Sequence, residues 1–393
     1  MSKFKYIDLF SGIGGFHIAM DQLGGECVFS SEIDSYAIET YKENYNIDSN
    51  QDIREVNPTS LPHYDVMCAG FPCQAFSKAG KQQGFNDETK GTLFFEIERL
   101  LKHRVDVSNP VKYIILENVS NLVSHDQGRT WKIIKKHLAE LGYNLTEHPI
   151  IISPHQLNIP QLRSRVFILG IHNSFDEKLE ISKPDHSVSK RNVTDAYSIV
   201  SSHRVPDKYY INDYEKYVLD AWDEFYTNIK ENIIGFPIWA FEFNDKPINR
   251  DYPKWKQLFI EKNKKLYKDN QMFIDSWLKK HDYLERFVET HKKFEWQAGT
   301  HIKSVWDGII QFRPSGIRVK RPTEFPALVA MVHIPIIGKY KRRITPREVA
   351  RLQSFPDNFI MNKIDQQAYK QFGNSVNVEV VKYLAKQLIK TSN

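Results

Sequence analysis

The chain has 393 residues, 41% of them hydrophobic and 26% charged, with a mean hydropathy of -0.49; this is enough for more than one domain, and no apolar run reaches the roughly 18 residues of a bilayer span. Three cysteines, Cys27, Cys68 and Cys73, are too few for a disulfide framework and form no CxxC zinc pair, so a reducing, cytoplasmic setting without a structural metal is expected. Lys plus Arg at 54 against Asp plus Glu at 48 gives +6, a mild basic bias that permits a polyanionic partner without requiring one.

The opening MSKFKYIDLF is too short and polar for a secretory leader, and KYIDLF reads as a strand. CVFSSEID, YDVMCAG and YIILENV repeat that pattern, and SRVFILGIH, ending near His172, closes it. Between them GGFHIAMDQLG, SYAIETYKENY, TLFFEIERLLKH and TWKIIKKHLAELG carry apolar residues three and four apart, the period of helices packed on a sheet. Alternating strand and helix predicts an α/β fold with a mostly parallel, Rossmann-like sheet. From about Phe175 the periodicity becomes local, predicting a second, mixed module. Within it 255–287 reads as one or two lysine-rich amphipathic helices, and 309–337 as strand-like runs broken by Pro314, Pro322, Pro326 and Pro335. Six tryptophans here, at 222, 239, 255, 277, 296 and 306, are expected to form mainly a private core. NSVNVEVVKYLAKQLIK predicts a final amphipathic helix.

Asp8-Leu9-Phe10-Ser11-Gly12-Ile13-Gly14-Gly15-Phe16 places a glycine-rich turn between a strand and a helix, where backbone amides and positive φ values let a nucleotide-like ligand approach. The dinucleotide fingerprint needs a third glycine where His17 stands, so a ligand without a pyrophosphate fits better. Glu32 and Asp34 end the second strand, where a carboxylate can hold a ribose diol. Asp52, taken to follow a third strand, can accept from an exocyclic amine. The bland reading is a structural turn with solvated acids.

Gly70-Phe71-Pro72-Cys73-Gln74 follows YDVMCAG, which sets the Cys73 thiol at a carboxyl end of the sheet, where open α/β folds bind ligands. Cys27 and Cys68 read as small buried hydrophobes. Glu117 ends YIILENV at the same edge, and partial desolvation there raises a carboxyl pKa, fitting it to share a proton with a heterocyclic nitrogen. Gln161, Arg163 and Arg165 alternate with Leu162 and Ser164, so as a strand all three long side chains face one way. Two guanidinium groups on one face suit anions or carbonyl oxygens, unless they form a solvated basic edge.

In order, DLFSGIGGF, SEID, Asp52, GFPCQAFS, ENV, QLRSR, RRITPREVARLQSFPDNF and QFGNSV resemble the motifs of the cytosine-C5 DNA methyltransferases of bacterial restriction-modification systems. The likeness spans the catalytic half and the last fifty or so residues and is missing from the middle module. It implies a catalytic and cofactor-binding domain over 1–188, a smaller target-recognition domain over 189–364 across a DNA cleft, and a segment over 365–393 that returns to the first domain. S-adenosylmethionine would be the methyl donor and S-adenosylhomocysteine the product.

The resemblance assigns Cys73 as nucleophile on cytosine C6, Glu117 to N3 and the exocyclic amine, Arg165 to O2, and Arg163 to orienting the thiol loop. For the cofactor it assigns Phe10 to the adenine face, Glu32 to the ribose and Asp52 to the adenine amine. Gly12, Gly14, Pro72, Leu93, Asn374, Ser375 and Val376 would complete that pocket. The target nucleotide must leave the duplex stack, and 77–90, with Gly80 and Gly84, suits a loop closing over DNA. Ser77, Lys81 and Gln82 there, with Arg313, Arg318, Lys320 and Arg321 in the middle module, are DNA-binding candidates. Where many members carry a Thr-Leu or Thr-Val pair late in the recognition region, the nearest equivalent here is Ala327-Leu328-Val329, with Pro322-Thr323 just before it. Double-stranded DNA is the expected partner, with no membrane, a cognate restriction endonuclease sharing the site, and a monomeric enzyme. Alternatives are a tRNA cytosine-C5 methyltransferase, a catalytically silent DNA-binding regulator on the same fold, and a nicotinamide oxidoreductase if the His17 departure is set aside.

Overall fold

The apolar runs of the first third become strands: β1 (Phe4–Leu9), β3 (Val66–Gly70) and β4 (Tyr113–Val119), buried along most of their length, and β2 (Gly25–Ser31), buried only at its end. The computed structural model describes residues 3–72, 93–184, 194–229, 233, 235–328 and 333–389. The chain divides into two compact units, the first Met1–Thr194, Ala327–Ala330 and Val349–Asn393, the second Asp195–Pro326 and Met331–Glu348.

In the first unit, β5 (Tyr143–Leu145), β6 (Ile150–Ile152) and β7 (Arg165–His172) extend the four strands to a seven-stranded sheet among the described residues, ordered β2-β1-β3-β4-β7-β5 with β6 also on β7. The β1, β2, β3 and β4 neighbours pair in parallel, whereas β7 is antiparallel to β4, β5 and β6. Six strands therefore point one way and β7 runs back, which makes the sheet the mostly parallel one expected. Helices α1 (Gly15–Asp21), α2 (Ser35–Tyr45), α3 (Leu93–Asp106) and α4 (Arg129–Glu140) follow β1 to β4 in turn. Ile97 and Leu101 of α3 and Ile134 and Leu138 of α4 pack with Met67, Ile114, Leu116 and Ile168 of the sheet, each such burial stabilising by about 1.5–3 kcal/mol.

The C-terminal helices Asp365–Asn374 and Val378–Ile389 belong to this unit too. The last one buries Val378, Val381, Leu384 and Leu388 and starts later than its apolar pattern suggests, because the Asn377 side chain accepts the Val380 N–H at 3.1 Å. Three contacts fasten the stretch from Ile360 to Gln371 to α2 and its cap. Asn44 exchanges two 2.8 Å hydrogen bonds with the Ile360 backbone, Gln371 donates to Tyr36 O at 2.9 Å, and Lys370 donates to Asp34 at 2.6 Å.

One core position of β1 is polar. Asp8 is fully buried, in register between Ser30 and Cys68. Burial and the nearby Glu32 carboxylate push its pKa well above the usual range, opposed only in part by the His17 backbone N–H. A raised folded-state pKa means that native protein holds the proton more tightly than unfolded chain, so Asp8 stabilises below its unfolded pKa of about 3.9 and that contribution is lost as pH rises through the folded value. Asp8→Asn, neutral throughout, is expected to gain stability relative to wild type as pH increases from about 4. Parallel urea-unfolding profiles for the two proteins between pH 4 and 8 would contradict this.

The second unit carries a six-stranded sheet among the described residues, in the order Arg342–Arg343, Ile336–Ile337, Ile309–Arg313, Gly316–Lys320, Lys293–Gln297, Ile238–Trp239. Lysine-rich helices occupy Lys254–Asp269 and Gln271–Lys280. Trp222, Trp277 and Trp296 are fully buried, Trp222 stacked on Phe294 at 4.8 Å and Trp296 on Tyr226 at 3.5 Å. They form the private core expected, while Trp255 remains 59% exposed. Glu348 takes both Arg342 terminal nitrogens, at 2.9 and 2.7 Å, and the Ser201 and Thr345 N–H groups, each at 2.8 Å. Burial alone would raise its pKa, and these four bonds hold it below the usual value instead. No described helix is long and apolar enough to cross a membrane.

Candidate active site

A cavity of about 570 Å³ opens in the first unit beyond the carboxyl ends of β1 to β4, where a parallel sheet leaves room for a ligand. Phe10, at the end of β1, has φ 56°, a conformation that costs a bulky side chain about 1–3 kcal/mol and persists only where its surroundings impose it. Its ring lines the cavity. Gly12 (φ 55°) also lines it, and a Cβ there would meet nothing within 4 Å. Gly14 (φ 84°) does not line the cavity; a Cβ there would strike the Tyr45 ring. Gly15 is demanded by the returning segment, since a Cβ would sit 2.6 Å from Ser375 Oγ and 2.7 Å from Val376 Cγ2. Asn374, Ser375 and Val376 close that wall.

The two carboxylates expected to meet a nucleoside both line the cavity, in different states. Glu32 accepts the Gly12 N–H at 2.8 Å on one oxygen and the Ile33 and Asp34 N–H groups at 2.8 and 2.9 Å on the other, which fixes its plane. Asp52 stands before β3, not after a third strand, because the chain between α2 and β3 adds only the isolated bridge Glu32↔Asn50. It caps the short turn Ile53–Glu55 and takes the Arg54 Nε at 3.0 and 3.1 Å, and that guanidinium holds its carboxyl below the usual range. Asp34 has the structural role, capping α2 through the Ala37 N–H and pairing with Lys370.

At the other end, the β3–β4 register sets Gly70 beside Glu117, and Asn118 Nδ2 donates to Phe71 O at 3.2 Å. These contacts fix where the chain leaves β3. Pro72 and Leu93 line the cavity; Cys73, Ser77, Lys81 and Gln82, with the rest of the expected closing loop, lie outside the described residues. Glu117 is buried and its pKa is raised by desolvation, with Arg165 and then Arg163 pulling against that rise. Arg165 Nε lies 3.1 Å from Glu117 Oε1. Arg163 is buried and donates to Gly373 O at 3.0 Å, its own N–H going to Ser153 Oγ at 2.9 Å. The expected strand over QLRSR is only two residues, Gln161–Leu162, before β7 resumes at Arg165. The alternation survives, with Gln161 and Arg163 buried and Leu162 and Ser164 exposed. Burial pushes the Cys68 thiol well up and the Cys27 thiol to about 12, which disfavours the thiolate in both.

In the second unit, Arg313, Arg318 and Lys320 share one polar sheet face with Glu295 and Gln311, as cross-strand register requires. Arg318 is neutralised by Glu295, its Nε donating at 2.8 Å. Arg313 and Lys320 have no ion pair among the described residues, and burial and then Arg318 push both pKa values down. Arg321 lies beyond the strand, its Nε donating to Ala298 O at 3.2 Å. Sequence reasoning missed Arg54, which pairs with Asp52 two residues before it, and Asn118 and Lys370, whose partners Phe71 and Asp34 only the fold brings close.

The profile of the C-5 cytosine-specific DNA methylase family matches residues 4–390. Type II methyltransferase M.BanI of Aneurinibacillus aneurinilyticus is 34% identical over 99% of this chain and 96% of its own, and M.HhaI of Haemophilus parahaemolyticus 31% over 98% and 94%. The solved structure of the S. pombe Dnmt2 methyltransferase aligns with TM-score 0.54 at 20% identity over 98% of both chains, and Entamoeba histolytica EhMeth with 0.54 at 16% over 99% of both, which supports the fold. The ordered motifs, the mostly parallel sheet and this end-to-end match together mean that the chain belongs to the C-5 cytosine-specific DNA methylase family and is a DNA (cytosine-5-)-methyltransferase.

Proposed function

We propose that this enzyme moves the methyl group of S-adenosylmethionine to C5 of a cytosine swung out of duplex DNA, through a transient bond between Cys73 and C6. The observation that carries the reading is one cavity bounded by Phe10 and Glu32 at one end and by Glu117 and Arg165 at the other. The donor set fits the cofactor: an aromatic face at Phe10, an oriented carboxylate at Glu32 for a diol, Asp52 for an amine, and Gly12 leaving the floor open. When bound, S-adenosylmethionine supplies an electrophilic sulfonium methyl.

Everything else falls to the chain. Cys73, as thiolate, forms the bond to C6 while Glu117 shares its proton with N3, so the C5–C6 electron pair becomes available at C5. Arg165 meets the negative charge growing on O2, and Arg163, tied to Gly373 O, steadies the site. After methylation, loss of the C5 proton expels the thiolate and restores the ring. The second unit serves as the recognition module within the expected 189–364 span, with 365–393 returning to the 1–188 domain. Arg313 and Lys320, with no ion pair among the described residues, grip DNA better than Arg318, which Glu295 already occupies. Protection of cytoplasmic host DNA from a cognate endonuclease, by a monomer, completes the reading.

The test is labelled methyl transfer to duplex DNA and tRNA in competition, followed by sequencing of the modified DNA. Label at C5 of cytosine in one short duplex motif is expected. Label confined to tRNA, or none in either, would reject the proposal.

A further inference from the structure

The residue that breaks the dinucleotide fingerprint, His17, has no place in the reaction above, yet it is buried and held at both ring nitrogens. Nδ1 lies 2.6 Å from Tyr41 Oη and Nε2 lies 3.1 Å from Asp21 Oδ2. Tyr6 fixes Asp21 in turn, its hydroxyl donating at 2.6 Å. An imidazole so restrained is a rigid surface, and Tyr45 stacks on it with ring centroids 3.8 Å apart and planes 22° apart. The Tyr45 hydroxyl then donates to Ile13 O at 3.1 Å and Gly14 O at 3.2 Å. Among the described residues it is the side-chain donor to those two carbonyls, and α1 has no side-chain cap at Gly14.

The same ring is what a Cβ at residue 14 would strike. The far side of the turn is held by Glu32, through the Gly12 N–H. The loop that floors the cofactor end of the cavity is thus gripped from two sides, by a carboxylate facing the ligand and by a phenol on an aromatic stack behind it. Burial and the nearby Asp8 and Asp21 carboxylates push the Tyr45 pKa well up, so its hydroxyl stays a donor at any working pH.

We propose that Tyr45, braced by His17, is a positioning residue for cofactor binding: its hydroxyl and ring set the Gly12–Gly14 turn in the shape the cavity needs. The inference rests on the reading that this cavity takes S-adenosylmethionine. It gives a physical reason for an imidazole where nucleotide folds carry a glycine: that glycine lets helix and strand close up, whereas here the ring reaches across to α2 and braces the turn from below.

The decisive variant is Tyr45→Phe in the full chain, which keeps the stack and removes only the hydroxyl. Titration calorimetry with S-adenosylhomocysteine is expected to show Kd raised about three- to tenfold, the loss of one shared buried hydrogen bond. KM for S-adenosylmethionine should rise in parallel, with kcat at saturation and KM for DNA within about twofold of wild type. An unchanged Kd, or kcat and the DNA KM changing as much as the cofactor constants, overturns the proposal. His17→Ala should weaken binding too, and His17→Phe, restoring a flat ring, should recover most of it; no recovery would refute the bracing role of the stack. Wild-type protein that failed to bind S-adenosylhomocysteine would instead remove the functional reading itself.

Discussion

Cys73→Ser is expected to lower methyl transfer at least about a thousandfold while leaving duplex DNA affinity within a few-fold of wild type, because the hydroxyl has no accessible anion and only a nucleophile is lost. The described residues just before it in the chain make the case. Gly70 is registered against Glu117, Phe71 O is held by Asn118, and Pro72 lines the cavity, so the described chain ends its third strand beside the buried carboxyl. At an ordinary pKa near 8.5 about a tenth of a cysteine is thiolate at pH 7.5. Two guanidinium groups line the same cavity, Arg163 and Arg165, and cations near a thiol lower its pKa. Wild type is expected to be trapped on 5-fluorocytosine DNA in the presence of S-adenosylmethionine, since fluorine cannot leave as a proton does, and the serine variant is not. Equal turnover by the two proteins, or free wild type on a denaturing gel after the trap, would remove Cys73 from the mechanism.

Much of this site was legible because its chemistry sits at strand ends, and strand ends are what apolar periodicity marks. YIILENV placed Glu117, GFPCQ followed a strand that ends at Gly70, and the alternation in QLRSR gave the buried arginine even though the strand there breaks after Leu162. What escaped depended on distant parts of the chain meeting. Nothing local to Lys370 announces a partner at Asp34, and nothing near Asn44 points to Ile360. Asp52 is expected to follow a third strand, but only the isolated bridge at Asn50 precedes it and β3 begins at Val66. His17 was read as the absence of a glycine; its positive role needs α2 folded against α1, a contact between side chains 24 and 28 residues apart. In the second module the polar sheet face was invisible as a face, since cross-strand register, rather than the order of residues, puts Glu295 on Arg318 and leaves Arg313 and Lys320 with no ion pair among the described residues.

Glu117→Gln is expected to reduce kcat by about 10²–10⁴ with DNA and S-adenosylhomocysteine binding little changed, because the amide keeps the shape and a hydrogen-bond donor but cannot give up a proton. The direction of the pH dependence follows from the burial of the acid. Desolvation raises the Glu117 pKa and the two arginines oppose the rise, so the protonated, donating form persists above the range of an exposed glutamate. In wild type kcat/KM should therefore fall on the alkaline side as Glu117 loses its proton, at a higher pH than an ordinary carboxyl would set; on the acid side it should fall as the thiolate is protonated. Removing the stronger opposing charge has a definite sign: Arg165→Ala should raise the Glu117 pKa further and move the alkaline limb upward, whereas Arg165→Lys should move it less. In Glu117→Gln that limb should vanish. A glutamine variant that keeps wild-type kcat, or an alkaline limb that shifts downward in Arg165→Ala, would mean that this carboxyl anchors the loop rather than activating the ring.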